Sequence, residues 1–209
     1  DAIIILGFHT IRSLVLASSV RGIFKSQKGN NIEGILWEHS LATAISCRMV
    51  AERLKHPGRD EAFLCGILHD IGKLILFRKF PDKYMEIFEK APDSLMEFHE
   101  LEQDMLGFDH MEVGEALLNK WNFPNEFVTA VVDHHRWIDK EEGKPLPLSW
   151  IVNYSNLCSG IIGSNIGNPA RCETQWLEAV DRLGFVPDEA TEVNNMLFDL
   201  FTEEKKIYD

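Results

Sequence analysis

Apolar residues recur three and four positions apart along most of this chain, and no stretch alternates apolar with polar residues as a half-buried strand would. The pattern predicts an all-α fold. Residues 2–24 read as one or two helices broken at Gly7, and residues 25–31 as a polar loop. Residues 35–54 form a long predicted helix with Leu36, Leu41, Ile45, Met49 and Val50 apolar, ahead of Pro57-Gly58. A central helix follows over residues 61–77, with Asp60 as its cap and Pro81 marking its end or opening the next. Residues 94–106 are amphipathic and stop at Gly107, a good left-handed C-terminal position. Asp109 and Glu112 make an acidic capping box for a helix running to about Trp121, and Asn125 caps another ending near Arg136. Residues 137–147 are polar and proline-bearing, an exposed loop. Helices over 148–162, 175–183 and 188–201 complete the chain, the last two flanking the core.

The central helix carries the chemistry. Phe63, Leu64, Ile67, Leu68, Ile71, Leu74 and Ile75 leave it almost no polar face, so it must be buried. Yet it contains His69, Asp70 and Lys73, whose burial without partners would cost several kcal/mol. A divalent metal would satisfy them, because neutral imidazole and ionised carboxylate are both natural ligands. Lys73, one turn on, can pair with the carboxylate or face an anion beside the metal. The plainer alternative is a histidine bonded to a backbone carbonyl beside an Asp70–Lys73 helix salt bridge.

Other histidines shift that balance. His39 lies among Ala42, Thr43 and Ser46, small neighbours that leave room for something to approach the imidazole. His110 opens its helix, where the positive dipole end disfavours imidazolium. His134 and His135 point about 100° apart, so one meets a given metal directly and the other supports it or reaches a second ion. His9, His56 and His99 read as ordinary turn or surface histidines.

The 209 residues suffice for one sizeable core, or a large domain with an appendage, and 45% are apolar. A formal net charge of −12 with no basic stripe argues against direct nucleic-acid binding. Cys47, Cys65, Cys158 and Cys172 form no CxxC pair, which points to reduced thiols and a cytoplasmic setting. Residues 2–6 are apolar but far too short to span a bilayer, and no membrane association is expected. The first residue, Asp1, leads us to expect that the chain starts inside a longer protein.

The order His39, His69-Asp70-Ile71-Gly72-Lys73, His110, His134-His135 resembles the HD superfamily of metal-dependent phosphohydrolases. The likeness is strongest to its HDOD branch, an output domain of bacterial signalling proteins. Leu36-Trp37-Glu38-His39-Ser40, residues 62–72, residues 106–114, residues 117–124 with Trp121 and the His134-His135 pair carry it, over most of residues 1–165. It implies an HD-domain-like helical bundle. Residues 1–24 would be the end of a truncated N-terminal helical region, 25–165 the core, and 166–209 flanking helices. In catalytic relatives, positions matching His39, His69 and Asp70 bind one ion with a later aspartate. Those matching His110 and His134 or His135 bind a second, with Asp70 bridging and the counterpart of Lys73 offsetting phosphate charge.

This sequence departs from that pattern. Asn156 stands where the late aspartate aligns, and a neutral amide is the poorer ligand. Arg136-Trp137-Ile138-Asp139 replaces the Gly-Tyr-Pro signature of the cyclic-di-GMP-cleaving branch, and most of the N-terminal helical region is missing. The expectation is a signalling module that keeps a metal-binding pocket of His39, His69, Asp70, His110, His134, His135 and Asn156 and is weakly catalytic or non-catalytic. The alternatives are a phosphohydrolase acting on a nucleotide or cyclic dinucleotide, with Asp70 and Lys73 as its catalytic groups, and a metal-free scaffold. Nitrogen-rich ligation favours one or two ions of iron, manganese, zinc, cobalt or nickel over calcium or magnesium, and the resemblance favours iron or manganese. Expected partners are signalling proteins, with a small phosphorylated ligand as a candidate.

Overall fold

A computed structural model describes residues 32–164 and 166–208, and among these every regular element is helical, as the periodicity predicts. The helices expected over 2–24, the loop 25–31 and His9 lie outside the described residues. Helix α1 (Ile32–Arg53) is the hub, with Leu36, Leu41, Ala44, Ile45, Cys47 and Val50 all buried. Helix α2 (Arg59–Leu68) packs along it, and α3 (Ile71–Lys79), α4 (Pro81–Lys90) and α5 (Phe98–Leu106) follow. Then come α6 (His110–Lys120), α7 (Asn125–Val132), α8 (Leu148–Ser159), α9 (Pro169–Leu183) and α10 (Pro187–Tyr208). Helix α8 packs on α1, α2 and α7, while α10 returns to α1. Pairs Arg48–Glu204 (2.5 Å) and Lys205–Glu38 (2.8 Å) line that last contact.

Two glycines set how closely these helices meet. A Cβ on Gly66 would lie 2.5 Å from Ala44 Cα, so only glycine lets α2 approach α1 this closely. A Cβ on Gly72 would lie 2.0 Å from the carbonyl oxygen of His110, so α3 and the start of α6 touch backbone to backbone. Both contacts flank the polar residues of the central stretch.

The predicted single helix over 61–77 is in fact two, broken at His69 and Asp70. Asp70 has φ −103° and ψ 14°, outside the helical well and in the bridge region where many site residues sit. A stretch apolar on every side gives periodicity nothing to interrupt, so the break is silent in the pattern. Gly58, not Asp60, precedes α2, and Asp60 sits in the first turn. Pro81 opens α4, Gly107 takes a left-handed φ of 85°, and Asp109 with Glu112 forms the expected capping box. Residues 94–97 stand outside α5. Helix α7 ends at Val132, so His134 and His135 occupy a turn rather than a helix end. Helix α8 gives way at Gly160 to a wider π-type turn containing Gly163 at φ 99°. Helices α9 and α10 extend beyond their predicted ranges. The four cysteines are buried free thiols, and no helix of the described residues is long and apolar enough to cross a membrane.

Candidate metal centre

Five stretches of the chain deliver the predicted residues to one place. Helix α1 brings His39, the break between α2 and α3 brings His69 and Asp70, α3 brings Lys73, and α6 opens with His110. The turn after α7 supplies His134 and His135. His69, His110 and His134 are 0% exposed, and Asp70 is 1% exposed.

Asp70 lies at the centre. Its Oδ2 is 3.4 Å from His39 Nε2 and 3.3 Å from His69 Nε2, and those two nitrogens are 3.3 Å apart. Its Oδ1 is 3.4 Å from His110 Nε2 and 3.6 Å from His134 Nε2, which are themselves 3.4 Å apart. Two near-equilateral triangles of donor atoms thus share one carboxylate. Donors held about 2.1 Å from a common ion stand roughly 3.0 Å apart at right angles and roughly 3.4 Å apart in a tetrahedron. The triangles fit a divalent transition metal on each side of Asp70.

The outer ring nitrogens each face an acceptor, which bears on whether the inner ones suit a cation. Nδ1 of His39 faces the Ser164 carbonyl at 2.7 Å, that of His69 the Gly66 carbonyl at 2.8 Å, and that of His134 the Val131 carbonyl at 2.6 Å. Nδ1 of His110 faces Glu102 Oε2 at 2.5 Å. A carbonyl or carboxylate only accepts, so each Nδ1 carries the proton and each Nε2 of a neutral ring is a bare lone pair. Where the rings are neutral, the inner contacts are acceptor against acceptor rather than hydrogen bonds. Asp70 Oδ1 is buried with no hydrogen-bond partner. Lys73 Nζ, 2.8 Å from Oδ2 and 4.8 Å from the Phe98 ring centre, is among the described residues the one lysine on the carboxylate and sits on Oδ2 rather than Oδ1. The plainer alternative, carbonyl-bonded histidines beside an Asp70–Lys73 pair, is present in every detail, yet it leaves the convergence of Nε2 atoms without a cause.

Burial favours the neutral form of His39, His110, His134 and His135. It pushes His39 down to about 4, against a partial lift from Asp70, and it also lowers His110, His134 and His135. Burial alone would raise Asp70, but His69 and Lys73 outweigh it and hold the carboxyl well below its usual range.

The sequence reading missed Glu102. It is 0% exposed, holds the His110 ring, accepts the His110 backbone N–H at 2.9 Å and receives the Tyr84 hydroxyl on its other oxygen. Burial pushes its carboxyl up to about 7, against the pull of Lys73. A carboxylate behind a histidine ligand fixes the tautomer and raises the ring's basicity. A signal existed: Phe98, Leu101, Glu102 and Met105 fall on one helical face, so this glutamate interrupts an apolar stripe.

His135 packs against the His134 ring at 4.0 Å between centroids, and its donor atom groups with those of His110 and His134 within 4.8 Å. His99, expected at the surface, instead stacks on His135 at 5.0 Å and sits beside Glu97. His56 is a turn histidine as expected, bonded to the Leu146 carbonyl. Asn156 lines two small cavities at the mouth of the centre, together with His135. A larger cavity of about 580 Å³, bordered by His56, Glu126 and Ser149, lies apart and includes none of the converging groups.

The HDOD domain family matches residues 1–137. The chain belongs to this family. A structure of an HDOD domain protein of unknown function from Geobacter sulfurreducens superposes with a TM-score of 0.71 at 22% identity, covering 94% of this chain and 72% of that one. A Shewanella amazonensis protein, itself provisionally assigned as a phosphohydrolase, gives 0.70 at 25% identity over 96% and 71%. The MmoQ response regulator of Methylococcus capsulatus gives 0.59 at 22% identity over 77% and 61%. By sequence, an uncharacterized Treponema pallidum protein is 29% identical over 87 residues, 41% of this chain and 17% of that protein's length.

Proposed function

We propose that this HDOD chain is a signal-transduction module that binds one or two divalent transition-metal ions. His39, His69 and Asp70 would hold one ion, and Asp70, His110, His134 and His135 the other, with iron or manganese favoured. The observation that carries this reading is the four Nε2 atoms aimed at both oxygens of a buried carboxylate. Asn156 in place of an aspartate leaves the first ion with one anionic ligand, which supports weak or absent catalysis. The likeness to MmoQ, a response regulator, supports the signalling role, in which protein partners read the state of the module. Buried free thiols agree with a cytoplasmic setting.

A phosphohydrolase is the second reading, favoured by Lys73 and Arg171 lining the cavity beside His39 and by the provisional assignment of the Shewanella protein. A divalent ion bound at Asp70 would supply Lewis-acid polarisation of a phosphoryl oxygen. In either reading Lys73 compensates Asp70, and the Nδ1 partners hold each imidazole in the ligating tautomer. Phosphodiesterase and nucleotidase assays with Mn²⁺, Fe²⁺, Mg²⁺ and Co²⁺ separate the two. The module reading expects no turnover above that of Asp70→Ala, whereas turnover abolished by Asp70→Ala or His69→Ala would establish the enzyme.

A further inference from the structure

Helix α9 lies across the mouth of the metal centre, tied to the segment before α5 by four hydrogen bonds. Asn168 Nδ2 donates to the Ser94 carbonyl at 3.2 Å, and Arg171 Nη1 to the Leu95 carbonyl at 2.5 Å. Arg171 Nη2 and Gln175 Nε2 both donate to Glu97 Oε1, at 2.8 and 2.6 Å. Beneath this clasp are two cavities, one of about 80 Å³ reaching His39 and Lys73 and one of about 150 Å³ reaching His134 and Asn153. Glu97 and Gln175 border both. Pockets for drug-sized ligands span roughly 300–1,000 Å³, so these small spaces hold a few waters or a phosphate-sized anion but no nucleotide while α9 stays in place.

The charges on the smaller cavity point the same way. Among the described residues, Lys73 and Arg171 face it against Glu97 as the one carboxylate. Lys73 is pinned on Asp70 and over Phe98, while the Arg171 side chain is 40% exposed and can move. A half-exposed ion pair is weak, whereas guanidinium meets phosphate through two parallel hydrogen bonds. The chain also turns ahead of α9 at Gly163, whose φ of 99° suits a pivot, and the next carbonyl, that of Ser164, holds His39.

We propose that α9 is a gate over the metal centre, and that Arg171 exchanges Glu97 for the phosphate of an entering phosphate ester. The second half rests on the phosphorylated-ligand reading above. The two variants of one ion pair then have opposite effects. With 5′-AMP and Mn²⁺ in titration calorimetry, Arg171→Met weakens binding by about tenfold or more, and Glu97→Gln, which frees Arg171, strengthens it by about threefold. Weakening by both variants, or no AMP binding by any form, refutes the exchange. The gate has its own readout on metal-free protein, the rate at which diethylpyrocarbonate modifies His39 and His135, followed by mass spectrometry. Both variants accelerate modification several-fold if α9 is a gate, and rates equal to those of the unaltered chain overturn it.

Discussion

Asp70 carries more of the account than any other side chain, because its two oxygens face different pairs of imidazoles while its one lysine neighbour sits on Oδ2 alone. Glu102 is the sharper probe, since among the proposed ligands it touches His110 from behind rather than facing the metal position. Glu102→Gln keeps an acceptor for His110 Nδ1 but loses its charge, and metal affinity should fall about 10- to 100-fold in chelator competition with the fold intact. Titration provides a second test. For a histidine lowered in the folded state, the unfolded chain binds the extra proton between the two values. Its contribution is therefore complete above about 6.5 and lost as pH falls, for His39 down to about 4. His110, His134 and His135 act in the same direction. Glu102 opposes them, because a carboxyl raised to about 7 makes the folded state the better proton binder between about 4.5 and 7. Four histidines outweigh one glutamate, so the melting temperature of metal-free protein should drop on going from pH 7 to pH 4. A flat or rising profile by circular dichroism would show the imidazoles to be less buried than described.

At the scale of elements, the site depends on backbone contacts no hydrophobic pattern reveals. Gly72→Ala forces a Cβ against the His110 carbonyl, and should destabilise by about 3 kcal/mol or more while disrupting the Oδ1 side of the site. Gly107→Ala, at a left-handed position with nothing near its Cβ, should cost only about 1 kcal/mol and leave metal binding unchanged. Denaturant melts with metal analysis compare the two. The same contrast explains what was legible in the sequence. The capping box at Asp109, the stop at Gly107 and the opening of α4 at Pro81 are local chemistry, and each stands where its residues place it. The break at His69-Asp70 and the ending of α7 before His134 are tertiary features set by the packing of α3 on α6 and by the carbonyls that hold the rings. The histidines stood out because imidazoles on apolar helices are conspicuous, whereas Glu102 was hidden within a segment rich in acids. Asn156 lines the two small cavities beside His135.

For the molecule as a whole, the helical bundle exists around a polar interior that a purely apolar core would not need. Helix α9 makes the C-terminal part of the chain a cover for the centre, so occupancy of the site and the position of that helix should be linked. Metal analysis by inductively coupled plasma mass spectrometry, on protein purified without added ions, tests the central claim most directly. The account predicts about one to two equivalents of a transition metal in the unaltered chain and a loss of most of it in His69→Ala and Asp70→Asn. A metal-free protein that stays so after incubation with Fe²⁺ or Mn²⁺, or equal metal in all three proteins, would contradict it.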